Sequence, residues 1–189
     1  MTTVQEKVLE IKRELRLSMN GVASESMRDG GIGYRLNFGV GLPKLKDIAL
    51  AAGKDAQLAT ALWKEDIREC RILAALVYPE NEFMPDLADV WVGEIGFPDL
   101  AEVCSMYLFS RMKDASVTAF QWIASGSEMV QYCGFLTIAN MLRQGREMGP
   151  RYVAELEDQA NAVIAAGAVL PAQAARAAMG FIKKDGQVR

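Results

Sequence analysis

One stretch of this chain, Trp63 to Pro79 (WKEDIRECRILAALVYP), is echoed twice further on. Taking Ile67-Arg68-Glu69-Cys70 as reference, Leu100-Ala101-Glu102-Val103 and Val130-Gln131-Tyr132-Cys133 follow the same order. Each opens on an aliphatic residue, continues with two largely polar positions and runs on as a mostly apolar helix. The echoes start roughly thirty residues apart, the period of stacked helical-hairpin repeats. In such a solenoid one helix of each pair lies inside and the others shield it. The polar positions should then recur along one concave wall, as a row made of Arg68/Glu69, Ala101/Glu102 and Gln131/Tyr132. Function is to be sought along that row.

A length of 189 residues suits a single repeat domain, residues 1–189, large enough to bury most of its apolar surface. Half the residues are hydrophobic, but no apolar run is long enough to span a bilayer. The opening MTTVQEKVLEIKREL is charged and amphipathic and has no signal-peptide core. A cytoplasmic location with no membrane contact is the expectation. The chain contains no histidine, which removes Ser-His-Asp and Cys-His catalysis and most zinc sites. Any chemistry here is carboxylate chemistry, without cofactor or metal. Cys70, Cys104 and Cys133 are far apart and form no CxxC pair; they read as small buried hydrophobes, reduced and metal-free.

The net charge of −3 is unevenly spread. Between Ile72 and Ser110 there is no Lys or Arg, while Glu80, Glu82, Asp86, Asp89, Glu94, Asp99 and Glu102 all fall there. Basic residues gather in three places: Arg28, Arg35, Lys44 and Lys46; Arg143, Arg146 and Arg151; Arg176, Lys183 and Lys184. Each cluster is either a solvated helix face or part of the rim of a groove that takes an anionic partner.

Apolar spacing predicts helices over Val4–Met19, Pro43–Ala52, Asp55–Trp63, Glu65–Tyr78, Asn81–Glu94, Asp99–Met112, Asp114–Ala124, Ser127–Leu142 and Arg151–Ala166, with a last one from Pro171. MRDGGIGYRLNFGVGLPKL reads as a folded connection; it follows no strand and lacks the ending of a phosphate loop. No run alternates like a strand. The expected class is all-α, about ten helices.

A set of residues in that first part carries a resemblance. Met27-Arg28, Tyr34, Asn37, Gly39-Val40 and Pro43-Lys44-Leu45, then Leu62-Trp63 and Arg68-Glu69-x-Arg71-Ile72-Leu73-Ala74, agree in order, spacing and glycine placement. The combination resembles the HEAT-like DNA alkylation repair family, whose best-known members are alkylpurine DNA glycosylases of the AlkD type. The resemblance implies an α-α superhelix of HEAT-like repeats holding duplex DNA in a concave groove, and excision of cationic N3- or N7-alkylpurines. A cationic base leaves readily, so a carboxylate that stabilises the oxocarbenium-like sugar, flanked by aromatic faces, suffices.

The family's catalytic pattern, Trp-Asp-x-x-Asp, falls here on Pro98-Asp99-Leu100-Ala101-Glu102. Glu102 is thus the candidate catalytic carboxylate, with Phe97 the nearest aromatic to the lost tryptophan. Gln131-Tyr132 stands where the family places an arginine, and after Arg176 no aromatic occurs until Phe181. In the groove the candidates are Arg68, Glu69, Arg71, Phe97, Gln131 and Tyr132; on its rims, Lys44, Lys46, Arg143, Arg146, Arg176 and Lys183. For Arg68 and Glu69 a structural ion-pair ladder is the alternative, for Tyr132 a packing role. Glu102 could equally be a surface carboxylate favoured by a helix dipole. Trp63, Trp91 and Trp122 read as packing anchors. For the whole chain, the alternative to a DNA-binding protein is a non-enzymatic HEAT-like scaffold with a protein or other ligand as partner.

Overall fold

A computed structural model describes residues 3–185, with side chains as far as residue 182. Among these residues the secondary structure is helical throughout, apart from one isolated bridge between Leu36 and Ile67. The chain divides into two compact units, Met1–Glu82 and Phe83–Arg189.

The N-terminal unit is built round one buried helix. Helix α1 (Val4–Leu17) begins with a reciprocal cap. The Glu6 amide donates to Thr3 Oγ1 at 3.2 Å and the Thr3 amide to Glu6 Oε2 at 2.7 Å, so two donors otherwise orphaned at the helix end are satisfied. Its inner stripe, Val8, Ile11 and Leu15, packs on α4 (Ala56–Trp63). Ion pairs from Lys7 to Asp55 and from Lys12 to Glu65, both 2.9 Å, bracket that contact. Helices α3 (Leu42–Ala52) and α4 enclose α5 (Arg68–Val77). In α5 eight residues are buried, including Ile72, Leu73 and Val77; each such side chain contributes roughly 1.5–3 kcal/mol on burial.

A short helix, α2 (Gly21–Asp29), lies in what the periodicity leaves unassigned between Met19 and the connection. Only Ser24 is buried, so α2 has no apolar stripe to betray it. It forms because the Asn20 side chain caps it, accepting from the Ala23 amide at 3.0 Å, and because residues 37–40 hold it. The Asn20 amide donates to the Phe38 carbonyl at 2.9 Å and Ser24 Oγ to the Asn37 carbonyl at 2.8 Å. Gly39 sits between them at φ 70; a Cβ there would collide with the Asn20 carbonyl and come within 2.7 Å of the Ser24 nitrogen. Only glycine allows that approach. The same segment delays α5. Ile67 is extended, bridged to Leu36, and the Arg68 amide donates to the Leu36 carbonyl at 3.1 Å. The helix therefore begins three residues after the predicted Glu65.

The C-terminal unit is centred on α9 (Glu128–Arg143), which packs against α7 (Pro98–Tyr107), α8 (Ala115–Ile123) and α11 (Val169–Asp185). Helix α6 (Pro85–Gly93) precedes them, with Pro85 at its start rather than inside a longer helix. Helix α10 (Pro150–Ala166) pairs with α11. Gly134 lets α8 and α9 touch, since a Cβ would stand 2.8 Å from the Ala119 carbonyl oxygen and 2.9 Å from the Ile123 nitrogen. Phe83, Trp91, Phe109 and Trp122 form a chain of rings with centroids 5.0–6.0 Å apart. Trp122 Nε1 donates to Asp89 Oδ1 at 2.7 Å. Phe109 joins this cluster because the chain leaves helical geometry at Leu108, so α7 ends five residues before the predicted Met112. All three tryptophans are packing anchors, each under 5% exposed: Trp63 4%, Trp91 2% and Trp122 4%. The three cysteines are buried and form no disulfide. No described helix is long and apolar enough to cross a membrane.

Candidate functional site

Two of the three echoes lie in the C-terminal unit, and the structure joins them. Glu102 is on the second turn of α7, exposed; Tyr132 is on the second turn of α9, only 4% exposed. The Tyr132 hydroxyl donates to Glu102 Oε1 at 3.0 Å. Burial first, then the charge of Glu102, pushes the phenol's pKa well above its ordinary range, so Tyr132 stays protonated and remains a donor. A buried, packed donor therefore orients an exposed carboxylate by one oxygen. Gln131 stands beside it, half-buried. Phe97, half-buried, is the residue at which the chain enters α7.

The first echo is used differently. Glu69 is fully buried, and Arg68 is 8% exposed. The Phe38 amide donates to Glu69 Oε2 at 3.1 Å and the Val40 amide to Glu69 Oε1 at 3.2 Å. Arg68 Nη1 reaches Glu69 Oε1 at 3.2 Å and the Val40 carbonyl at 3.4 Å. This pair holds the glycine-rich connection onto the start of α5, a structural use of the polar positions. Arg71 is half-buried, its guanidinium carbon 5.6 Å from the centroid of the Trp63 ring, a cation–π distance. The echoes are also offset: Ile67 caps α5, whereas Leu100 and Val130 are already three residues inside α7 and α9.

The basic candidates divide by unit. Lys44 is exposed and bonds Glu14 at 2.7 Å, the partner that raises its pKa; Lys46 is exposed on the same helix. Arg143, Arg146, Arg151 and Arg176 are exposed and make no ion pair among the described residues. The side chain of Lys183 lies outside the described residues. No group of His, Cys, Asp or Glu among the described residues is arranged to hold a metal.

A feature the sequence pattern does not signal lies at the far end of α9. A 230 Å³ pocket is lined by Phe120 of α8, Met141 of α9, Arg146, Glu147 and Met148 of the connection, and Tyr152 of α10. The Phe120 and Tyr152 rings lean together, centroids 5.7 Å apart at 35°. Their separation of more than thirty positions obeys no helical spacing, so only folding reveals the pair.

The described residues form an all-α protein, in which the Gly39 amide donates to Asn37 Oδ1 at 2.7 Å and Glu69 accepts from the Phe38 and Val40 amides on either side of it. The sequence matches the DNA alkylation repair enzyme family over residues 11–178, and the chain belongs to that family. Its fold is similar to that of a solved structure from a group described as a new family of proteins related to the HEAT-like repeat DNA glycosylases with affinity for branched DNA structures. That likeness has a TM-score of 0.76 and 19% identity, covering 91% of this chain and 72% of the other. No curated protein matches the sequence.

Proposed function

We propose that this protein binds DNA through the phosphate backbone, reading the shape of branched structures rather than base sequence. The carrying observation is the set of four exposed arginines in the C-terminal unit with no ion pair among the described residues. An arginine fork matches phosphate oxygens bidentately, whereas Lys7, Lys12, Lys44 and Lys54 of the other unit are already paired with carboxylates. Backbone contacts position a protein on DNA but carry no base information, so selectivity falls to geometry. The similar protein family's affinity for branched DNA supports that choice. Duplex DNA in the arms of a junction is the surface contacted, with Lys183 as a further phosphate contact.

Fluorescence anisotropy with a four-way junction and a linear duplex of equal length tests this. Affinity should fall steeply with salt, with a log–log slope of about −0.9 per phosphate neutralised. Reversing Arg143 and Arg151 to Glu should weaken binding to every sequence alike. Absence of salt-dependent binding at low ionic strength would replace this reading with a scaffold that binds protein.

Excision of alkylated purines is the second reading, favoured by the bond from Tyr132 to Glu102. It leaves Oε2 of an oriented carboxylate for an electron-poor sugar or its attacking water. Phe97 and Gln131 would flank the lesion. Base release from methylated duplex that disappears in Glu102→Gln, with binding retained, supports it. Release by Glu102→Gln at the wild-type rate, or none by either protein, removes it.

A further inference from the structure

We propose that the pocket at the C-terminal end of α9 takes a single unpaired nucleobase from the branch point of the bound DNA. This rests on the DNA-binding reading above and names a second, base-contacting site for it. Tyr152 remains 51% exposed although Phe120 supports it at 5.7 Å. One ring is braced while much of its surface stays open, the arrangement a base can stack on without reordering the protein. At 230 Å³ the cavity is smaller than usual drug-sized ligand sites, and fits a planar ring system rather than a whole cofactor.

Polar groups of opposite character select the class of occupant. Arg146 supplies donors and Glu147 an acceptor, both on the pocket lining. A nucleobase presents ring or carbonyl acceptors beside an exocyclic amine or a ring N–H, and so answers both. A simple anion would be repelled by Glu147, and an apolar ligand would leave both charges unused. The backbone places these residues firmly. The Gly145 amide donates to the Leu142 carbonyl at 2.9 Å and the Arg146 amide to the Met141 carbonyl at 3.1 Å, with Gly145 left-handed at φ 77. This paired closure ends α9 and fixes where Arg146 leaves the helix. Arg143 and Arg151, near in sequence on either side, supply charge for the phosphates of the same strand.

The pocket is separate from Glu102. Tyr132 and Leu142 are ten positions apart on α9, on the order of 15 Å along the axis. A single lesion-binding site would not need both.

The test uses a junction carrying one unpaired 2-aminopurine at the branch, beside a fully paired linear duplex. Wild-type protein should quench the probe on binding. Tyr152→Ala should lose the quenching and weaken junction binding by roughly five- to a hundred-fold, the range for loss of one base–aromatic stack. Duplex affinity should be unchanged, and Tyr152→Phe should restore both signals. Quenching that survives Tyr152→Ala, or an equal loss on junction and duplex, overturns the base site and leaves backbone binding standing. A wild-type protein that binds neither DNA overturns both.

Discussion

Replacing Glu69 by alanine should destabilise the N-terminal unit by about 3–5 kcal/mol, the cost of removing one member of a buried charge pair. The structure makes the origin explicit. The carboxylate accepts from the Phe38 and Val40 amides and from Arg68, all in a buried setting. Alanine leaves two amides without an acceptor, at about 1–3 kcal/mol each, and an arginine only 8% exposed without its counter-charge. Water admitted by the vacated volume would offset part of this, so the sum is an upper bound. Glu69→Gln should fall between, because its one oxygen can serve only one side of the connection. For a chain of this length unfolding as one each kcal/mol corresponds to roughly 2–4 °C in Tm, so alanine should lower the Tm of the protein by about 6–20 °C. Urea titration followed by circular dichroism measures it, with the midpoint rather than the slope carrying the change. A midpoint shift equivalent to less than about 0.5 kcal/mol, the size of an ordinary surface substitution, would refute the reasoning. DNA affinity altered by Glu69→Gln at unchanged stability would instead return Glu69 to the groove.

Gly134→Ala should cost about 1–3 kcal/mol, since its Cβ would meet backbone atoms of α8 that cannot rotate away; thermal unfolding reports it, and a neutral result would show that the two helices separate freely. Burial raises the Cys70 and Cys133 thiols to about 12 and leaves Cys104 0% exposed, so all three cysteines should resist a thiol reagent in the native protein at pH 8 and react together on unfolding. Tyr132, whose pKa is raised in the fold, should contribute stability fully below its unfolded value near 10 and lose it as pH climbs beyond. Ultraviolet detection of phenolate should find it ionising above the ordinary tyrosine range, and Tyr132→Phe should abolish that delayed step.

Local periodicity was enough to read most of this fold. Helices α3, α4, α8, α9 and α10 lie within a residue or two of where apolar spacing, Pro and Gly place them, because each has a stripe to bury or a chemical stop at its end. Glycine placement and the Arg68-Glu69 spacing were also enough to mark the family, now matched over residues 11–178. What sequence could not decide was the use of each polar position. Glu69 and Glu102 hold equivalent places in their echoes, yet one is fully buried under a connection more than twenty-five positions away in the chain and the other stands exposed beside a tyrosine. That difference comes from long-range backbone donors and from a three-residue offset in where the helices start. Helix α2 depends likewise on residues 37–40, and the break at Leu108 on where Phe109 can be buried. The Phe120–Tyr152 pair has no periodic trace at all. A helix can be read from its own side chains, but a site exists only where separate helices meet, and those meetings are set by packing.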